Sequence, residues 1–308
     1  MANTIQHPTH TSSHTPEVWA GRALGYLPKY LNLANTVTKD FDFDEIQRYG
    51  NKVNIPQRGN LSANSKTAGS DVTLQQPTDS EVEVTLDQHY EVTFSPEDVA
   101  RAFSKPQLLE GYMQDAAKVL AEKIEDSIAA LYSSAGLTVD ATGATSSTFL
   151  SKLREARRKL ITNKVPQTES LYAYMSEYAI EDMLNTNQLD TAEKAGSNRP
   201  LVEGAIARVA GFNVFESQMV NTSGSPATYH NMVYSSDGIV LVTRPLPNDA
   251  ESFGGARQTV VRDPQTGLSM RVTMSYNADA LAPQITLDSL WGVSTLRATH
   301  LVDFQTQD

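Results

Sequence analysis

The stretch PQLLEGYMQDAAKVLAEKIEDSIAALY, residues 106–132, is the longest uninterrupted helical pattern in the chain. Its apolar residues Leu109, Met113, Ala116, Leu120, Ile124, Ile128 and Leu131 follow one another in steps of three or four. That spacing lays one apolar stripe along a helix. Ser104 and Gln107 have the spacing of a capping box, Pro106 suits a first turn, and Gly136 marks a stop. At 1.5 Å per residue the helix would be roughly 40 Å long, longer than the radius of an average domain, so it is expected to run along the structure as a spine. On its own the stripe also describes the core helix of any α+β domain.

Upstream of the spine the chain reads as extended. Residues 1–15 carry Thr, Ser and His with almost no large apolar side chain, and are expected to form a flexible tip. They have neither the basic start nor the apolar core of a signal peptide. Their histidines, His7, His10 and His14, come without a carboxylate or cysteine to complete a metal site. Residues 16–34 are greasy but broken by Gly21, Gly25 and Pro28, and are expected to pack on something else, such as a neighbouring copy. Asp40, Asp42 and Asp44 suggest a calcium loop, but Glu45 stands where the turn needs Gly and Asn51 where the last ligand should be Glu. A strand is expected from Asn51 to Pro56 and a second at Val72–Gln75, with the polar run 57–70 as the tip of a projecting hairpin. Val82, Val84 and Leu86, then Tyr90, Val92 and Phe94, alternate as half-buried strands. Ser95 and Pro96 open a short helix to Phe103.

Downstream the segments are shorter and mixed. Residues 137–147 read as a loop. A helix opens at Thr148, with Phe149, Leu153, Ala156 and Leu160 on one face and Lys152, Arg154, Arg157, Arg158 and Lys159 on the other. This is the one basic cluster in the chain, and it reads either as a solvated face or as a contact with an acidic neighbour or polyanion. No aromatic residues interleave with it for base stacking. Ser170–Met175 is a strand, and Ser176 caps the helix after it. Residues 186–199 are a polar loop, and a helix is expected from Pro200 to Ala210, stopping at Gly211 before a strand at Phe212–Phe215. Met232–Tyr234 and Ile239–Val242 read as strands joined by a hairpin turn at Ser235–Gly238. Met270 to Tyr276 alternate as another strand, after a turn at 263–267. The final strand is placed at about Arg297–Phe304.

The totals set further bounds. The chain has 308 residues, enough for about two domains, with 40% apolar and 20% charged residues, no cysteine and a formal net charge of −11. Disulfides and thiolate metal sites are excluded. An acidic balance argues against a dedicated nucleic-acid binder. No apolar run approaches the roughly 20 residues of a membrane span. No phosphate loop, dinucleotide fingerprint, His-Glu-x-x-His or nucleophile elbow is present. His89, His230 and His300 are far apart in sequence and read as structural. Neither a cofactor nor enzymatic activity is expected.

The order of segments resembles the major capsid proteins of tailed double-stranded DNA phages, the Hong Kong 97-like fold. Three stretches carry the resemblance: DFDEIQRYGNKVNIP within residues 35–56; LVEGAIARVAGFNVFES (201–217), with Gly204 and Gly211 placed as in the family; and GLSMRVTMSYN followed by LDSLWGVSTLRATHLVDF at the C-terminal end. The resemblance implies an N-terminal arm (1–44), an extended loop with flanking strands (45–95), a peripheral domain holding the spine helix (96–165), an axial domain (166–255) and C-terminal strands returning to the core (256–308). It implies self-assembly of hexamers and pentamers into an icosahedral shell around the genome, assembled in the host cytoplasm and carried in the virion. The expected partners are a separate scaffolding protein, a portal protein and DNA bound without sequence specificity, with a decoration protein as an optional further partner and no membrane. An encapsulin-like cargo shell shares the fold, and a soluble enzyme or binding domain is the alternative from another class. Within this frame Leu109, Met113, Leu120, Ile124 and Ile128 are expected to pack on the subunit's own sheet. Glu110, Lys118, Glu122 and Glu125 should face outward. Arg58 and Lys66 should lie at the loop tip, in contact with a neighbour.

Overall fold

The computed structural model describes residues 31–39, 50–59, 61–96, 107–145, 148–166, 168–185, 208–248, 256–262, 268–277, 279 and 282–307. The expectations for residues 1–30, the acids between 40 and 49, the short helix before the spine, the loop 186–199, the helix start at Pro200 and the turn at 263–267 lie outside these residues.

The spine, α2 (Gln107–Ala129), continues as a tight turn over Ala130–Ser134. It follows a short helix, α1 (Leu33–Thr36). Met113, Leu120, Ile124 and Ile128 are buried, and so are Ala116, Ala117 and Ala121. The side chains of Leu109 and Glu110 lie outside the described residues. Two sheets share the remaining chain. The first has five strands: β3 (Gln88–Phe94), β10 (Ile239–Arg244), β11 (Ala256–Arg262), β12 (Ser269–Asn277) and β13 (Ala282–Thr295). The 14-residue β13 is its axis. β3 lies along one side of it, while β12 and then β10 follow one another along the other. The stripe of α2 shares one core with this sheet, through Met270, Val272, Ile285, Leu287 and Trp291.

The second sheet runs β4 (Leu137–Asp140), β14 (Leu301–Gln307), β9 (Thr228–Ser235), β5 (Leu171–Met175), β7 (Phe212–Glu216) and β6 (Arg208–Val209), with β8 (Thr222–Ser223) beside β9. Helices α3 (Phe149–Thr162) and α4 (Glu177–Leu184) cover one face, burying Phe149, Leu153, Ala156, Leu160, Ile180 and Met183 against Ala173, Phe212, Val233 and Phe304. The other face, with Tyr174, Met232 and Tyr234, joins the core of α2. Ser176 caps α4 by accepting the Ala179 N–H.

Several expectations are corrected. Residues 137–140 are a strand, not a loop, because they pair in parallel with β14 at the far end of the chain. Ser235–Gly238 is not a hairpin turn: β9 and β10 belong to different sheets, and the turn carries the chain between them. The chain is not helical up to Ala210. Ala210 (φ 51°) and Gly211 (φ 92°) both adopt left-handed backbone, the requirement of a two-residue hairpin turn between β6 and β7. The division at 165/166 does not follow the packing. α3 packs on strands of the 166–255 segment, whereas β10, from that segment, joins the sheet under α2.

Candidate assembly surfaces

The hairpin is larger than the sequence suggests. β1 (Lys52–Gln57) pairs antiparallel not with Val72–Gln75 but with β2 (Ser80–Thr85). Its root has a small core of its own: Ile55, Val84 and Leu86 pack with Val240, Val242 and Leu296. At the root Gly292 passes directly beneath the Thr85 carbonyl, where a Cβ would overlap it. The Arg244 guanidinium donates to the Gly50 carbonyl at 2.6 Å. Beyond the root the chain from Leu61 to Ser80 is exposed at every residue and forms no ladder before β2 begins. Leu61, Val72 and Leu74 are 71, 68 and 89% exposed. Arg58 is exposed near the root, and the Lys66 ammonium donates to backbone oxygens of Thr67 and Ser70, closing a turn within the tip.

The segment before the hairpin is held by one carboxylate. Glu125, expected to face outward, is buried at 4% exposure. It accepts the N–H groups of Asn32 and Ala34 on Oε1, both at 3.0 Å, and of Leu33 on Oε2 at 2.9 Å. These are the free donors at the start of α1, where a negative charge is favoured. Leu31, Leu33, Ala34 and Val37 enter the main core beside it. Burial pushes the Glu125 carboxyl above its ordinary value, against the pull of those three N–H groups. Thr38 then bridges β10, donating to the Ile239 carbonyl and accepting from the Leu241 N–H, each at 3.1 Å. The residues just before α1 thus pack on their own chain. Lys118 is exposed and Glu122 half-buried, 3.6 Å apart as an i,i+4 pair.

The basic face of α3 divides into two parts. Arg157 donates to the Ala210 carbonyl at 2.9 Å and lies against Gly211, where a Cβ would come within 2.7 Å of Nη1. Lys159 donates to the Thr138 carbonyl at 2.6 Å and sits 3.4 Å from Glu155. Both are committed to their own chain. Arg154 and Arg158 are exposed, and Lys152 is half-buried. Lys152 adds to the pull on Asp140, whose carboxyl is lowered chiefly by hydrogen bonds from the Thr142 hydroxyl and N–H.

The isolated histidines acquire partners across strands. Asp288, 3% exposed, receives Arg271 as a two-point pair at 3.1 and 2.6 Å and His89 Nε2 at 3.1 Å. His230 Nδ1 lies 3.1 Å from both oxygens of Asp303, and its Nε2 is 2.7 Å from Ser223 Oγ. The Tyr132 ring stacks on His230 at 4.1 Å. None of these pairings has a signal in the sequence, because each joins strands distant along the chain or depends on register. Among the described residues no helix is long and apolar enough to cross a membrane.

Residues 32–244 match the family model described as phage capsid protein. No curated protein sequence matches the chain. Its fold is similar to a structure from Mycobacterium phage Che8 (TM-score 0.66, 17% identity, covering 89% of this chain and 90% of that one). It is also similar to the capsid structure of cyanophage P-SCSP1u (TM-score 0.63, 14% identity, 84% of each chain). A virus-like particle from Pyrococcus furiosus is more distant, at TM-score 0.51 and 8% identity over 93% of this chain and 97% of that one. With the greater part of its length matched to that model, and with a spine helix over two sheets and a projecting hairpin, the chain belongs to the phage capsid protein family and is a structural major capsid protein of the Hong Kong 97-like fold.

Proposed function

We propose that the chain builds an icosahedral shell of hexamers and pentamers around double-stranded DNA, and that its hairpin makes the lateral contacts. The observation that carries this reading is the run Leu61–Asp79, exposed throughout and bearing Leu61, Val72 and Leu74. An ordered backbone without ladder partners, carrying bare apolar side chains, is stabilised when a neighbouring subunit covers it. Arg58 and Lys66 would meet acidic groups of that neighbour. The acidic balance of −11 suits a shell whose inner surface must release its DNA. Arg154 and Arg158, exposed on α3 beside the half-buried Lys152, would meet acidic groups of a neighbour or face the lumen. A separate scaffolding protein, a portal and assembly in the host cytoplasm belong to the same reading, as does any decoration protein.

Electron microscopy of particles tests it. Replacing residues 62–75 by a short Gly-Ser linker should leave a folded subunit that forms no closed shells. Normal shells from that variant would overturn the role of the hairpin. Arg154→Glu with Arg158→Glu should impair assembly or genome filling without unfolding the subunit; normal filled particles would remove that face from the contact set.

The arrangement Ser223–His230–Asp303 is what favours a catalytic reading, since a hydroxyl, an imidazole and a carboxylate in that order can activate a nucleophile. A fluorophosphonate probe decides it. The structural reading expects no labelling of Ser223, and stoichiometric labelling would establish a reactive serine.

A further inference from the structure

Two of the chain's crossings between the sheets meet at one place. β9 leaves its sheet at Ser235 and β10 enters the other at Ile239, through the turn Ser236–Gly238. β13 leaves at Thr295 and β14 begins at Leu301, through the turn Ala298–His300. The two turns are joined. The N–H groups of Leu296 and Arg297 both donate to the Gly238 carbonyl, at 2.9 and 3.2 Å. Gly238 is close enough to the His300 carbonyl that a Cβ would lie 3.1 Å from it. The Thr38 hydroxyl donates to the Ser236 carbonyl at 2.7 Å, which brings the N-terminal segment to the same point.

Three side chains converge on this junction. Glu169, Asp237 and His300 each offer a donor atom within 4.8 Å of the other two. Among the described residues no other group of three or more His, Asp or Glu side chains comes so close together. His300 is 4% exposed, and its Nδ1 makes no hydrogen bond, although it lies 3.7 Å from Asp237 Oδ2. A buried ring nitrogen that faces two carboxylates without a partner is an arrangement a cation completes.

We propose that Glu169, Asp237 and His300 form a site for a divalent transition-metal ion of the zinc type, clamping the crossing between the two sheets. The donor set gives the class of ion. One imidazole nitrogen with two carboxylate oxygens suits Zn²⁺, whereas Mg²⁺ and Ca²⁺ favour oxygen-only shells. Three protein ligands leave a fourth position for water. Each carboxylate also has a positioning partner: Arg297 Nη1 lies 3.0 Å from Asp237 Oδ2, and the Ser235 hydroxyl donates to Glu169 Oε2. A carboxylate has lone pairs enough to serve both such a partner and a metal. The ligands come from three segments distant along the chain, so the site exists only when both sheets are folded together. Bound ion therefore stabilises the native state.

The test is calorimetric titration of the purified full chain with Zn²⁺ in metal-free buffer, beside Glu169→Gln and Asp237→Asn. Both substitutions replace a half-buried carboxylate with an amide of the same shape. The site requires one Zn²⁺ per chain and an affinity loss of ~100-fold or more in either variant, since even outer-shell changes cost 10–100-fold. A rise in melting temperature with Zn²⁺ but not with Mg²⁺, abolished by both variants, is the second expected result. A chain with His7, His10 and His14 all replaced by Ala must bind as the wild type does. X-ray absorption of the Zn²⁺-loaded wild type must show a nitrogen and oxygen shell with one imidazole, and this readout holds even if a variant fails to fold. No saturable binding, equal affinity in the variants, loss of binding with the N-terminal histidines, or a multi-imidazole shell would each overturn the site. Electron microscopy of the same samples reports shell formation separately, so failure of the metal site and failure of the shell reading are distinct results.

Discussion

Removing the Glu125 carboxylate should undock the segment around α1 without unfolding either sheet. Glu125→Ala leaves three N–H groups without an acceptor, those of Leu33 and Ala34 buried and that of Asn32 partly buried. At about 1–3 kcal/mol for each desolvated donor, keeping the segment docked would cost about 3–9 kcal/mol. Undocking returns those donors to water but exposes Leu31, Leu33 and Val37, at about 1.5–3 kcal/mol each. Against that, the freed chain regains backbone entropy of about 1–2 kcal/mol per residue. Local release is therefore the cheaper response. Hydrogen exchange reads it directly. The amides of residues 32–34, with Thr38 and Leu241, should lose about 100-fold or more in protection, while those of β9 and β14 keep theirs. Glu125→Gln should lie between, because its carbonyl can still serve two donors while its amide opposes the third. The pH dependence has a defined sign. The folded pKa is raised above the ordinary 4.5. Between the two values the native state holds a proton that the unfolded chain has lost. The stability this contributes is fully present below 4.5 and is lost as pH rises through the folded value. Acidification from neutral pH into that window should favour wild type relative to Glu125→Gln. Unchanged protection in Glu125→Ala, or the opposite pH trend, would refute the latch.

Four further substitutions probe the packing. Leu120→Asp places an unpaired charge at a position 2% exposed, and should prevent folding; a soluble, well-folded variant by circular dichroism would refute the packing of α2. Glu122→Lys, at a half-buried position, should fold normally, since it removes one exposed i,i+4 pair worth about 0.3–0.5 kcal/mol. Arg271→Ala should destabilise by about 3–5 kcal/mol in denaturant titration, because it strands the buried Asp288, with Arg271→Lys restoring only part; a loss within 1 kcal/mol of zero, to the ~0.5 kcal/mol expected of a surface change, would mean that the pair is solvated. Gly292→Ala should lower the melting temperature and loosen the hairpin root against β13, and a variant with unaltered proteolysis of the hairpin would show that the Thr85 carbonyl yields freely.

What the sequence made legible is what local periodicity encodes. The stripe of α2 and the faces of α3 follow from spacing alone, because each helix meets one core along one side. The misreadings share a cause. Strand partners are set by register across long separations, as when Leu137–Asp140 pairs with residues at the end of the chain and β10 pairs with β13 instead of β9. A Ser-Ser-Asp-Gly turn gives the same local signal whether the chain doubles back or crosses to another sheet. The inward turn of Glu125 did leave a trace. Ala117, Ala121 and Glu125 follow at i, i+4 and i+8, a row of small residues ending in an acid, and all three are buried. Small side chains along a helix let another backbone approach closely, and a carboxylate at the end of that row can accept the N–H groups the approaching backbone brings. Read that way, the acid at the end of the row marks where the segment around α1 docks. It also explains why the acid is there: a short helix docking by its N-terminus presents free donors that an apolar groove alone would leave unsatisfied. The same logic separates the parts of the molecule that fold by themselves from those that await a neighbour. The described strands outside the hairpin pair and bury their apolar faces within the chain, whereas Leu61–Asp79 forms no ladder and is exposed at every residue.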